Sequence, residues 1–230
     1  MTIIQTLSNI KAKADLHEDG YVSTSGNPTY GGDSSAVQHL LKDVTKLFST
    51  DSAFAALKTD GTAVTWGDPV WGGNSNAVQH LLIDVTTIAS NSGAFAALKA
   101  DGTVVTWGHP EDGGNSSAVR HLLTNVTTIF ANSYVFAALK ANGTVVTWGR
   151  PTWGGDSSAV QHRLTNVATI FANRYAFAAL KTDGTVVTWG DPDYGGDSSA
   201  VQNNLINIQR IIAHEDGFTA IKHDGSRISW

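Results

Sequence analysis

Tryptophan returns in this chain at one spacing. Trp66, Trp107, Trp148, Trp189 and Trp230 stand 41 residues apart, and Ser25 holds the same position one period earlier. The glycines Gly20, Gly61, Gly102, Gly143, Gly184 and Gly225 keep that step, and no gap is needed anywhere. A fixed period of about 20–50 residues is the mark of a repeat architecture, in which each copy is one supersecondary unit. The units are 1–41, 42–82, 83–123, 124–164, 165–205 and 206–230, the last holding 25 of the 41 positions. Together they are expected to make one repeat domain over residues 1–230.

Each unit reads alike. In the fourth, Val126 to Phe130 is a short β-branched run, followed by a polar tip from Ala131 to Tyr134. Phe136 to Lys140 is a second strand, and Asn142-Gly143, matched elsewhere by Asp-Gly, suits a type I′ hairpin turn. Thr144 to Trp148 is a third strand, and Gly149 to Ser157 a loop rich in Gly and Pro. Ser158 to Leu164 fits either a fourth strand or a short helix, since its Asp-Ser-Ser start also suits an N-cap. The few large apolar side chains of one unit cannot offset the conformational entropy of ordering 41 residues, so units must stack and share a core.

The second strand is apolar on both faces, as a sheet covered on both sides requires. Blades of a propeller meet that requirement. The expected fold is therefore an all-β propeller of about six blades with the last blade incomplete; an open repeat array or a multi-chain ring is the alternative. Both ends diverge from the pattern. Lys13 and Ser25 replace the usual Phe and Trp, and His214-Glu215-Asp216 replaces the usual tip. Atypical end units suit an open, capped array. With no segment expected before Met1 to supply the missing outer part, a ring is expected to close without a donated strand, or not to close at all.

Composition narrows the functional classes. Hydrophobic residues make 41% and charged residues 15% of the chain, a globular balance. A net charge of −5 gives no pull toward phosphate backbones, so no nucleic-acid partner is expected. With no cysteine there are no disulfides and no thiolate metal sites. The charged N-terminus lacks the apolar stretch of a secretory signal, and no run is long enough to span a bilayer, so a soluble chain with no membrane partner is expected.

The run Ala178 to Gly190, AALKTDGTVVTWG, resembles the repeats of the regulator-of-chromosome-condensation family, as does the GG…SSAVQ stretch that follows. The short, insertion-free unit is most similar to the branch typified by the bacterial β-lactamase inhibitor protein II. The resemblance covers nearly the whole chain and implies a β-propeller, commonly of seven blades. Roles across the family differ: exchange factors for small GTPases, chromatin or ubiquitin-system modules, enzyme inhibitors. The chain departs from the family in its unit count, and it lacks the histidine that often opens the second strand. Phe54, Phe95, Phe136, Phe177 and Phe218 stand near there instead. No unit carries an insertion that would serve as an exchange-factor wedge.

The strand-ending tryptophans are expected to pack between blades, because every unit needs the same wedge. A second aromatic set, Tyr30, Trp71, Trp153 and Tyr194, occupies one loop position of the form Pro-x-aromatic-Gly-Gly, with Asp112 the exception. These rings are candidates for stacking on ligands, sugars included, or for capping a neighbouring blade. The tips after the first strand vary most: Asn9-Ile10-Lys11, Thr50-Asp51-Ser52, Asn91-Ser92-Gly93, Asn132-Ser133-Tyr134, Asn173-Arg174-Tyr175 and His214-Glu215-Asp216. A constant frame with variable tips is how a scaffold displays a contact surface, and Tyr and Arg are the strongest anchors. Tyr134, Arg174 and Tyr175 form the leading candidate hot spot, with Asn132, Asn173 and Asp51 beside them. His39, His80, His121 and His162 also keep the 41-residue step, but equivalent positions on successive blades diverge and would not converge on a metal.

No nucleophile elbow, phosphate loop, paired carboxylates or calcium loop stands out, so neither catalytic residues nor a cofactor nor a metal is expected. The leading reading is a non-enzymatic binding scaffold with a protein partner. A multivalent, lectin-like glycan module is the second reading. A structural chain that self-assembles through open ends or exposed edges into a homo-oligomer is the third.

Overall fold

The computed structural model describes residues 2–230. They form six three-stranded antiparallel sheets, each in sequence order. Contacts divide the chain into two compact units, one ending at Ser116 and the other running Ser117–Trp230. The first unit holds blade 1 (β1 Ile3–Ser8, β2 Ala12–His17, β3 Val22–Gly26), blade 2 (β4 Val44–Ser49, β5 Ala53–Lys58, β6 Ala63–Gly67) and blade 3 (β7 Val85–Ser90, β8 Ala94–Lys99, β9 Val104–Gly108). The second holds blade 4 (β10 Val126–Ala131, β11 Val135–Lys140, β12 Val145–Gly149), blade 5 (β13 Val167–Ala172, β14 Ala176–Lys181, β15 Val186–Gly190) and blade 6 (β16 Ile208–His214, β17 Gly217–Lys222, β18 Arg227–Ser229). This is an all-β propeller architecture of six blades, the sixth ending in a three-residue strand.

Within each compact unit the core lies between consecutive blades. On β14 the side chains alternate: Phe177 and Ala179 join the cluster shared with blade 4, while Ala176, Ala178 and Leu180 join the one shared with blade 6. That is why this strand is apolar throughout, and why small alanines alternate with bulkier residues. The repeated tryptophan completes each wedge. Trp189 stacks on Phe177 with ring centroids 5.1 Å apart, and its indole Nε1–H donates to the Gly154 carbonyl at 3.2 Å. Trp66 and Trp107 bond to Gly31 and Gly72 in the same way. Gly154 has φ of 103°, and a Cβ there would stand 2.9 Å from the Phe177 ring. Glycine is required on both counts, since the positive φ strains other residues and the ring leaves no room.

Blade 1 lacks this seat. Lys13 stands where blade 2 has Phe54, and pairs with Asp15 at 2.8 Å instead.

Two local features differ from the sequence expectation. The hairpin turn is not type I′, which would need positive φ at both central residues. Only the glycine has positive φ, as Gly143 does at 76°. Lys140 N–H bonds to Thr144 O and Gly143 N–H to Lys140 O, giving a three-residue loop that closes on a left-handed glycine. The cause is the Asn or Asp side chain. Asn142 Oδ1 accepts from both the N–H and the hydroxyl of Thr144, which holds Asn142 in a right-handed turn.

The segment between strand or helix is resolved as a turn running into a short 3-10 helix, Gln161–Arg163 in the fourth repeat. Ser157 donates to Gln161 Oε1 at 2.9 Å, and Gln161 Nε2 donates to the Val145 carbonyl at 3.0 Å. A glutamine side chain thus covers the start of the outer strand, where a fourth strand would otherwise pair.

The described residues contain no helix long and apolar enough to cross a membrane.

Candidate binding surface

In blades 1 to 5 one end is built from the tip between the first and second strands and from the Pro-led turn after the third. A single side chain brackets the two. Asn132 Oδ1 accepts the Tyr134 N–H at 2.9 Å, while its Nδ2 donates to the Trp153 carbonyl at 2.8 Å. Asn173 does the same one blade later, accepting from the Tyr175 and Ala176 N–H groups and donating to the Tyr194 carbonyl at 2.7 Å. Asn9 reaches Tyr30, Asn91 reaches Asp112, and Thr50 reaches Trp71 with a hydroxyl in place of an amide. Backbone bonds tie neighbouring tips together: Ile10 N–H to Asp51 O, Asp51 N–H to Ser92 O, and Ser133 N–H to Arg174 O.

In the second compact unit this bracket brings rings together. Tyr134 and Trp153 have centroids 4.5 Å apart, Trp153 and Tyr175 are 5.1 Å apart, and Tyr175 meets Tyr194 edge-on at 4.5 Å. Tyr134 and Tyr175 lie parallel at 6.0 Å. All four are half-buried. The Arg150 guanidinium lies 5.2 Å from the Tyr134 and Trp153 centroids, and the exposed Arg174 lies 5.1 Å from that of Tyr175. These distances fall in the range of cation–π contact. Rings that pack on one another have given up their rotamer freedom before any partner arrives, which lowers the entropic cost of binding.

The first compact unit keeps the bracket without the cluster. Tyr30 has Lys11 over its ring at 5.0 Å, and Trp71 is stacked with His109 at 5.0 Å. Gly93 takes the place that Tyr134 and Tyr175 hold, and the carboxylate of the fully buried Asp112 occupies the space a side chain there would fill. His109 Nδ1 is 3.4 Å from Asp112 Oδ2. Asp51 is half-buried at its tip, its backbone joined to Ile10 and Ser92.

The structure therefore brings Tyr134, Trp153, Tyr175, Tyr194 and Arg174 into one patch, joining residues that the sequence placed in two separate candidate sites. Asn132 and Asn173 stand behind it, their amides engaged in holding tip to turn. Arg150 belongs to the patch and was missed by sequence reasoning; its position just before the Pro-led turn is variable, with Asn27, Asp68, His109 and Asp191 in the other repeats. His39, His80, His121 and His162 are all exposed, and no cluster of His, Cys, Asp or Glu able to hold a metal occurs among the described residues.

No protein-family model matches the sequence, and no curated protein matches it. Solved structures do. The chain is similar to Prp20p of Saccharomyces cerevisiae, whose structure was reported with its binding to Gsp1p and histones: 17% identity and a TM-score of 0.57, covering 99% of this chain and 71% of that one. It is likewise similar to yeast RCC1 (Prp20) bound to Kap60, at 17% identity and a TM-score of 0.55, covering 99% and 69%. The entire ectodomain of the Physcomitrella patens receptor kinase CR4 matches at 17% identity and a TM-score of 0.53, with 99% of this chain covered. The chain spans 61% of that ectodomain's length. The fold is an RCC1-like propeller.

Proposed function

We propose that this chain is a non-enzymatic protein-binding module whose contact surface is the ring patch of Tyr134, Trp153, Tyr175 and Tyr194 with Arg150 and Arg174. The observation that carries this reading is the mutual packing of tip and turn rings at 4.5 to 5.1 Å. Tyr, Trp and Arg dominate binding energy at protein interfaces, and they do so in clustered, well-packed patches. Protein partners of the similar propellers, Gsp1p, histones and Kap60 for the yeast protein, support the same class of ligand. A net charge of −5 favours protein over nucleic acid.

A multivalent glycan module would need several like platforms. The four turn rings have four different surroundings: a lysine over Tyr30, a histidine on Trp71, two tyrosines around Trp153, and one ring edge-on to Tyr194. A single asymmetric patch accounts for them better.

A photoreactive residue at Ser133, in the tip beside Tyr134, would identify the partner by crosslinking, after which the purified pair is titrated. The triple variant Tyr134→Ala/Arg174→Ala/Tyr175→Ala should weaken binding at least about 100-fold, as the loss of a hot-spot cluster does. Unchanged affinity would remove this patch from consideration.

A further inference from the structure

We infer that the patch receives an acidic segment of its partner, a carboxylate carried beside an apolar side chain, with Arg174 as the anchor; this rests on the protein-binding reading above. Arg174 is exposed, lies on the Tyr175 ring, and forms no ion pair with any described residue. Three lysines, by contrast, have a nearby acid on the same strand or turn: Lys13 with Asp15, Lys58 with Asp60 and Lys181 with Asp183. The middle tip position is Ile10, Asp51, Ser92, Ser133 and Glu215 in the other five repeats, so Arg174 is the one cation there. A guanidinium held over a ring at that distance still has N–H groups to offer a carboxylate, in the planar fork that makes Arg–carboxylate pairs bidentate. The ring also shields one face of the cation from water, which strengthens the pair.

Charge along the tips of the second unit gives the segment a direction. Blade 4 offers Ser133 and Tyr134, blade 5 offers Arg174 and Tyr175, and blade 6 offers the exposed acids Glu215 and Asp216. A carboxylate over Arg174 is repelled on the blade 6 side. Its chain therefore continues toward Tyr134 and Trp153, and the apolar neighbour meets those rings. Attraction and repulsion together fix the orientation, a common route to specificity.

The test is a random-peptide display selection on the full chain, with the enriched peptides synthesised and titrated calorimetrically. Enriched sequences should carry Asp or Glu next to an apolar residue. Arg174→Ala should weaken them about 30-fold, and Arg174→Lys less, because lysine keeps the charge and loses the fork. Replacing the peptide's own acid by its amide should reproduce the Arg174→Ala loss, which needs no change in the protein and so no concern for folding. Glu215→Lys/Asp216→Lys should tighten binding of the same peptides. Acid-free peptides that depend on Tyr175 but ignore Arg174→Ala would overturn the inference and leave the protein-binding reading standing. A selection yielding only peptides indifferent to Tyr134→Ala/Tyr175→Ala, or no peptide at all, would overturn both.

Discussion

The tips of the first and second compact units share a frame and differ in cargo. In both, an Asn or Thr side chain reaches 21 residues ahead to the carbonyl of the Pro-led turn, as Asn91 does to Asp112 and Asn132 does to Trp153. In both, a buried Phe stacks on the strand-ending Trp, as Phe95 on Trp107 and Phe177 on Trp189. Only in the second do tip and turn carry rings at once, and only there does a continuous aromatic surface result. The first fills the corresponding space with Gly93 and the buried Asp112. Repetition sets where a side chain is presented; what is presented varies, because the tip lies outside the Phe–Trp wedge and packs only against its own turn and neighbouring tips.

The largest effect should show that the frame is common to both. Phe95→Ala and Phe177→Ala each remove a fully buried ring, and each should cost about 3–5 kcal/mol in urea unfolding. A gap of several kcal/mol between them would mean that the two regions are not built alike.

Next come the brackets. Thr50→Ala and Asn132→Ala each strip partners from buried or partly buried backbone groups and should cost about 1–3 kcal/mol. Of the two, only Asn132→Ala should also weaken partner binding, because only there does the bracket hold the rings.

Transplanting the cargo sharpens the contrast further. A Cβ at Gly93 would collide with the Asp112 carboxylate and lie 3.0 Å from the Trp71 ring. Gly93→Tyr alone should therefore destabilise the chain by about 1–3 kcal/mol, and should not create a second binding patch.

The smallest effect concerns acid. The hydroxyl and N–H of Thr62 hold the Asp60 carboxyl below the ordinary aspartate value of 3.8, and Asp101, Asp183 and Asp224 are lowered in the same way by Thr103, Thr185 and Ser226. A carboxyl lowered by folding stabilises the native state at pH values above its unfolded pKa. That contribution is lost as pH falls through the lower folded value. Blade 4 has Asn142 at this position and lacks the contribution, so Asn142→Asp should add a slight acid sensitivity below about pH 4, visible in pH-dependent melting.

Much of this frame was readable in advance, for physical reasons that differ from part to part. The 41-residue step of Trp and Gly reports a wedge that recurs between blades within each compact unit, and so it survives as a pattern. The apolar second strand reports burial on both faces. The turn type was misread because Asp-Gly satisfies two loop geometries, and the deciding bond, from Thr144 to Asn142, involves side chains. The segment at 158–164 stayed ambiguous because its ordering comes from Gln161 bonding to a strand carbonyl 16 residues earlier, not from local periodicity.

The aromatic patch was half legible. Tyr134, Arg174 and Tyr175 stand out as departures from the repeat, and Trp153 and Tyr194 as recurring rings. Their union was hidden because tip and turn are 21 residues apart. The recurrence of Asn at the first tip position, in Asn9, Asn91, Asn132 and Asn173, was the signal that a common partner held them.

Titration of the purified partner against two matched variants tests the central claim most directly. One variant is Tyr134→Ala/Arg174→Ala/Tyr175→Ala in the second unit; the other is Ile10→Ala/Asp51→Ala/Ser92→Ala at the tips of the first. The first should lose at least about 100-fold in affinity and the second less than about threefold. Equal losses, or a larger loss in the second, would contradict the assignment of function to the aromatic patch.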